Sequence, residues 1–192
     1  NVEALTLSGN LHMARKEWRP AQDVFERVLK EVKPGDMYCS LQLANVYAYH
    51  AAEELPKRDG AARGLRALGR AEELYQHVLL GDKTNVFAAN GFGAVLAARG
   101  QHSGDAALLR RALRVFTLVR ERAPGEPDPL INLAHTQVAL GNAEAAVGVY
   151  ETSREGPPHY ADVAAMARAL LARFPERCLF GTNWPHPSKP QD

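Results

Sequence analysis

One spacing recurs four times along this chain and constrains its fold more than any other feature. Ala21, Phe25 and Val28 stand four and three residues apart, and Ala71, Tyr75 and Val78 repeat the interval. Ala112, Phe116 and Val119 do so again, followed by Ala146, Tyr150 and Ser153. Steps of four and three put all three side chains on one face of an α-helix. The small residue lets a second backbone approach, and the ring one turn later fills the remaining gap. A chain that repeats this face must stack helices on helices, because no single unit buries the face alone.

Each such helix is preceded by another with its own small position. Leu5 and Gly9, Leu41 and Asn45, Ala89 and Gly93, and Leu130 and Ala134 mark these first helices. The step from small position to second-helix Ala is 12 in the outer units (21−9 and 146−134), 26 in the second (71−45) and 19 in the third (112−93). The middle units thus carry insertions of about 14 and 7 residues between or within their helices, and in such a solenoid insertions generally map to loops on one face. The predicted helices are 2–15, 19–31, 37–51, 65–80, 85–99, 105–122, 129–140 and 143–154. Pro20 suits a first helical turn, and Gly81, Gly100 and Gly141 are expected as C-terminal caps.

Lys and Arg total 23 against 22 Asp and Glu, so no net field draws the chain to nucleic acid or membrane. No apolar run approaches the roughly 20 residues that span a bilayer. Cys39 and Cys178 are expected as reduced packing residues. The opening Asn1-Val2-Glu3 lacks Met and reads as the cut edge of a longer protein.

The second-helix pattern is that of tetratricopeptide repeats, and several strings go beyond it. Gly9 to Trp18 reads GNLHMARKEW, Ala88 to Ala97 reads AANGFGAVLA, Phe116 to Glu121 reads FTLVRE, and Ile131 to His135 reads INLAH. In this order they resemble the large tetratricopeptide scaffold subunit of the RNA polymerase II-associated factor (PAF) elongation complex, over about residues 5–152. The resemblance implies an all-α, right-handed superhelix of four hairpins over residues 1–155. It also implies a nuclear, non-catalytic protein without cofactor, whose partners are other elongation-complex subunits and RNA polymerase II. Members of that family carry many more repeats than four. A generic tetratricopeptide adaptor outside transcription is the alternative.

Residues 156–192 differ in character. Gly156-Pro157-Pro158 breaks the helix, an amphipathic stretch follows from Tyr160 to Phe174, and Arg177 to Pro187 reads as a strand entering a loop. This tail resembles the last helix–strand unit of amidohydrolase-superfamily barrels of the pyrone-dicarboxylate lactonase type, with their GTDWPHP motif. The resemblance places a catalytic or metal-binding Asp where this chain has Asn183, which is a poor proton acceptor at neutral pH. No His-x-His pair is present, and a barrel needs about 250 residues. A hydrolase fragment is therefore the rival reading, supported by the tail alone.

The register of the first helices turns Asn10, Met13, Gln42, Tyr49, Phe87, Asn90, Ile131 and His135 toward the concave groove, together with Cys39 and Val46. No Lys or Arg stands among the groove positions, which argues against a clamp for terminal carboxylates. His135 is either a groove contact or a packed, hydrogen-bonded core histidine. Asn10 and Asn90 either bond a ligand backbone or join adjacent repeats. Gly91 and Gly93 lack the strand and the Lys-Ser/Thr of a phosphate loop and read as sites of close helix packing. Basic residues gather near the insertions, from Lys57 to Arg70 and from Arg110 to Arg114, as solvated faces. Nothing in the chain has the spacing of a catalytic triad, a carboxylate pair or a metal site.

Overall fold

Four polar residues set where helices start. The side chains of Asn1, Asp36, Asn85 and Asp105 each accept a hydrogen bond from a backbone N–H of the following first turn, satisfying donors that a helix leaves open. The computed structural model describes residues 1–126 and 128–142. Seven α-helices lie among them. They are α1 Val2–Ala14, α2 Trp18–Arg27, α3 Met37–Glu54, α4 Ala61–Gly81, α5 Val86–Ser103, α6 Ala106–Arg122 and α7 Asp128–Ala139. A single π-helical turn, Val28–Val32, extends α2, and Lys33 N–H donates to the Val28 carbonyl at 2.8 Å. Consecutive helices form the hairpins α1/α2, α3/α4 and α5/α6, and α7 packs on α6 as the first helix of the next unit. The predicted helix 143–154 and the tail lie outside the described residues.

The core runs along the stack in successive clusters, each built on one ring. Phe25 is fully buried among Ala21 and Val28 of its own helix and Cys39, Leu43 and Val46 of α3. Tyr75 is buried between α3 and α5, and Phe116 lies against Leu96 of α5 and Leu133 of α7. Each second helix therefore serves two first helices, its own and the next. Burying one such ring contributes about 1.5–3 kcal/mol.

The insertions lie mostly within the helices rather than in loops. Relative to the first hairpin, α3 runs four residues further past its small position (54−45 against 14−9) and α4 starts seven earlier before its Ala (71−61 against 21−18). Only three of the 14 extra residues fall in the connection, 55–60 against 15–17. In the third hairpin α5 gains five and α6 three, while the connection shortens by one. Paired helices can lengthen together because each added turn buries a new stripe against its partner. Ala51, Gly64 and Ala67 are buried in the added turns of the second hairpin.

Two glycines also depart from the expected role. Gly100 is inside α5, where a side chain would meet Leu109, and the helix ends instead at Gly104 with φ +70. Gly81 is the last residue of α4, and the Met37 side chain lies over it. Gly141 has φ +80, in keeping with a cap after α7.

The longest connection is tied by charge. Glu54, 7% exposed, accepts from Lys57 Nζ at 2.5 Å and Arg63 Nε at 2.6 Å. These hydrogen bonds hold its carboxyl at about 2. Burial raises the Glu26 carboxyl, but bonds from Lys30, Gln22 and Tyr47 outweigh it and bring that group to about 2 as well. A carboxylate with a depressed folded pKa stabilises the native state above its unfolded pKa, and this is lost as pH falls toward the folded value. The melting temperature is therefore expected to drop between about pH 4.5 and pH 2. Glu54→Gln and Glu26→Gln together should flatten that drop in thermal scans at pH 7, 4 and 2.5. An unchanged slope would assign it to other carboxylates.

Candidate functional site

The small–aromatic pairs are the most regular constructions in the molecule. A Cβ added to Gly9 would stand 2.6 Å from Phe25 Cζ, and one added to Gly93 would stand 2.6 Å from Phe116 Cε1. Each ring thus lies directly on the backbone of the preceding helix. The second hairpin solves the same problem with a polar pair, in which Tyr75 Oη donates to Asn45 Oδ1 at 2.7 Å. Burial then costs little, because the hydroxyl keeps a partner. Gly91, on the following hairpin, leaves room for the other side of the Tyr75 ring. The Gly91-x-Gly93 string therefore faces two ways: Gly91 receives the ring of α4, and Gly93 that of α6.

The groove residues do not converge on a pocket. Asn10 Nδ2 donates to Tyr38 Oη at 2.8 Å, and Asn132 Nδ2 donates to Asn90 Oδ1 at 3.1 Å. Both asparagines therefore join successive first helices. Gln42 accepts from Asn45 within α3 at 3.3 Å. Met13 packs against the Phe25 cluster. Cys39 and Val46, expected in the groove, are 0% and 1% exposed, because the ridge of α2 covers their side of α3. Burial pushes the Cys39 thiol up, leaving a protonated packing group rather than a nucleophile. Ile131 and His135 are half-buried.

Two of the eight candidates stand clear. Phe87 is 60% exposed near the start of α5, and Tyr49 is 53% exposed on α3. Tyr49 stacks on Trp18 with centroids 5.0 Å apart and planes 14° from parallel, and Trp18 Nε1 donates to Glu53 at 2.7 Å. Trp18 is thereby an edge anchor between the first two hairpins. The sequence register missed this stack because Trp18 opens α2 and Tyr49 lies 31 residues on (49−18). Near the insertions, Arg58, Arg66, Arg110, Arg111 and Arg114 are exposed, while Lys57 and Arg63 serve Glu54. Among the described residues no group of three His, Cys, Asp or Glu is placed to hold a metal. No described helix is long and apolar enough to cross a membrane.

Stacked hairpins whose second-helix rings seat on Gly9 and Gly93, or bond Asn45, of the first helices have the architecture of a tetratricopeptide-type repeat. Within that class the chain is similar to Protein CTR9 homolog of Arabidopsis thaliana, 36% identical over 156 residues, covering 79% of this chain and 14% of that protein. It is also similar to RNA polymerase-associated protein CTR9 of Caenorhabditis elegans, 33% identical over 151 residues, covering 77% of this chain and 12% of that one. The resemblance read from the motif strings is thus shown, over about one seventh of the relatives' length. A further match, 61% identical over 41 residues, covers 21% of this chain and 14% of D-galactarolactone isomerase of Agrobacterium fabrum, and fits the resemblance of the tail. Among solved structures, yeast Tom70 aligns with TM-score 0.44 at 14% identity, over 92% of this chain and 41% of that one. No protein-family profile matches the chain.

Proposed function

We propose that this chain is part of a non-enzymatic scaffold of an RNA polymerase II-associated elongation complex, acting in the nucleus and holding other protein subunits along its stacked helices. The observation that carries the proposal is the similarity to CTR9 proteins over more than three quarters of the chain. The AANGFGAVLA string within it uses both glycines to seat rings of neighbouring hairpins. We divide the chain into a repeat array over residues 1–155 and a separate tail over 156–192. The tail's likeness to a sugar-lactone enzyme does not extend to catalysis in this reading, because Asn183 stands in place of the acid/base Asp.

A scaffold groove is read by its exposed side chains, which here are Phe87 and Tyr49 rather than the asparagines that hold the stack together. The test is a pull-down from nuclear extract with the full chain as bait, identified by mass spectrometry. Recovery of elongation-complex subunits or RNA polymerase II is expected, with at least a severalfold loss on Phe87→Ala plus Tyr49→Ala. Recovery of none of these subunits would remove the transcription reading and leave a tetratricopeptide adaptor. Recovery insensitive to the double substitution would move the interface to the outer helices.

A further inference from the structure

The outer faces of the second helices share one register, because Ala21, Ala71 and Ala112 occupy the same repeat position. Two residues after that alanine stand Asp23 in α2, Glu73 in α4 and Arg114 in α6. In α2 the carboxylate pairs with Arg19 at 3.6 Å, and Arg27 bonds Glu31 at 3.1 Å. In α4 it pairs with Arg70 at 2.8 Å. In α6 the same place instead brings a third guanidinium beside Arg110 and Arg111, one helical turn away. All three are exposed, and among the described residues none of them is in an ion pair. Same-sign charges at these spacings repel. The openness of this face belongs to the register: the Arg70 and Glu73 side chains are 63% and 66% exposed although hairpins stand on both sides of α4.

We propose that the outer face of α6 is a docking site for an acidic protein segment, which sets carboxylates over Arg110, Arg111 and Arg114 and an apolar side chain on Leu118. The partner supplies the carboxylate that α2 and α4 carry themselves. Guanidiniums are weakly hydrated, and their forked donors match carboxylates in pairs. Leu118 follows one turn after Arg114 and is 44% exposed, where α2 and α4 have Arg27 and His77 at the same position. The positive stretch is short, about 6 Å for four residues at the helical rise. Glu121 ends it two turns beyond Arg114, and Glu73 holds the matching place on α4. A uniform polyanion such as single-stranded nucleic acid therefore meets a carboxylate in either direction. Nor does α6 expose an aromatic side chain on which bases could stack. The inference concerns the outer face alone and is independent of the transcription reading.

The test titrates the full chain into a fluorescein-labelled synthetic peptide of glutamates followed by leucines, at low salt, and follows fluorescence anisotropy. Binding is expected, and should vanish for the same peptide with glutamines in place of the glutamates. Arg114→Gln should weaken binding by up to about fivefold, the scale of one exposed ion pair. Arg27→Gln removes the same charge from the self-paired face of α2 and should leave binding unchanged. Arg114→Glu imposes on α6 the arrangement of the other two helices. It should abolish binding while raising the melting temperature by about one to three degrees. Absence of binding by the unsubstituted chain overturns the proposal, as does equal weakening by Arg27→Gln, which would trace the binding to net charge. Tighter capture of a single-stranded oligonucleotide of equal charge, weakened by Arg114→Gln, also overturns it, since the face would then serve nucleic acid.

Discussion

Phe116→Ala is expected to destabilise the protein by about 3–5 kcal/mol, the largest effect of any single truncation considered. The ring is 0% exposed and is shared by three helices: it lies on Gly93 of α5, beside Leu96, and against Leu133 of α7. A cavity here cannot close by moving one helix, because each neighbour is held by other contacts. In a stacked array the damage should also be local, since each hairpin contacts only its neighbours. Hydrogen exchange should show α5, α6 and α7 losing protection while α1 and α2 keep theirs. Protection lost evenly along the whole chain would contradict nearest-neighbour packing and make the array one cooperative block.

The second large effect is a pair of identical substitutions with opposite signs. In the middle of a helix, Gly→Ala ordinarily stabilises by about 0.5–1 kcal/mol, by restricting the unfolded chain and favouring helix. Gly69→Ala in α4 should show this gain, because a Cβ there meets nothing within 4 Å. Gly93→Ala should instead cost about 1–3 kcal/mol, because its Cβ would sit 2.6 Å from a buried ring that has no free direction to move. Adding Phe116→Leu to Gly93→Ala removes the struck atoms, so the double variant should be more stable than the sum of the two single losses. Chemical denaturation of the four proteins measures this. A stabilising Gly93→Ala would mean that α5 and α6 are not in contact through that ring.

Among the described residues the helices and their order were legible in the sequence, and so were the rings of α2, α4 and α6. Ala21, Phe25 and Val28, with their two counterparts among the described residues, are all buried, and the predicted helix starts at 2, 37, 85 and 105 fall within a residue of the caps Asn1, Asp36, Asn85 and Asp105. These features depend on period and on first-turn chemistry, which neighbouring residues carry by themselves. The two glycines of AANGFGAVLA were legible as close-packing sites, although not which ring each would meet. The candidate groove was less legible. Asn10 and Asn90 left two roles open, and the bonds to Tyr38 and Asn132 come from helices 28 and 42 residues away.

What the sequence determined by itself was therefore the unit: a pair of helices, the face each must bury and the residue that lets them touch. The tertiary structure decided how the units meet. Only the packed chain shows that the extra residues of the middle hairpins lengthen paired helices, that Cys39 and Val46 turn inward and that Tyr49 stacks on Trp18. A helix's face follows from its own periodicity, but which side of that face is covered depends on a ridge supplied by another helix. Leu7 and Leu43 share a register position in the repeat, and one is 71% exposed while the other is 5%. Only the presence of α2 against α3 separates them.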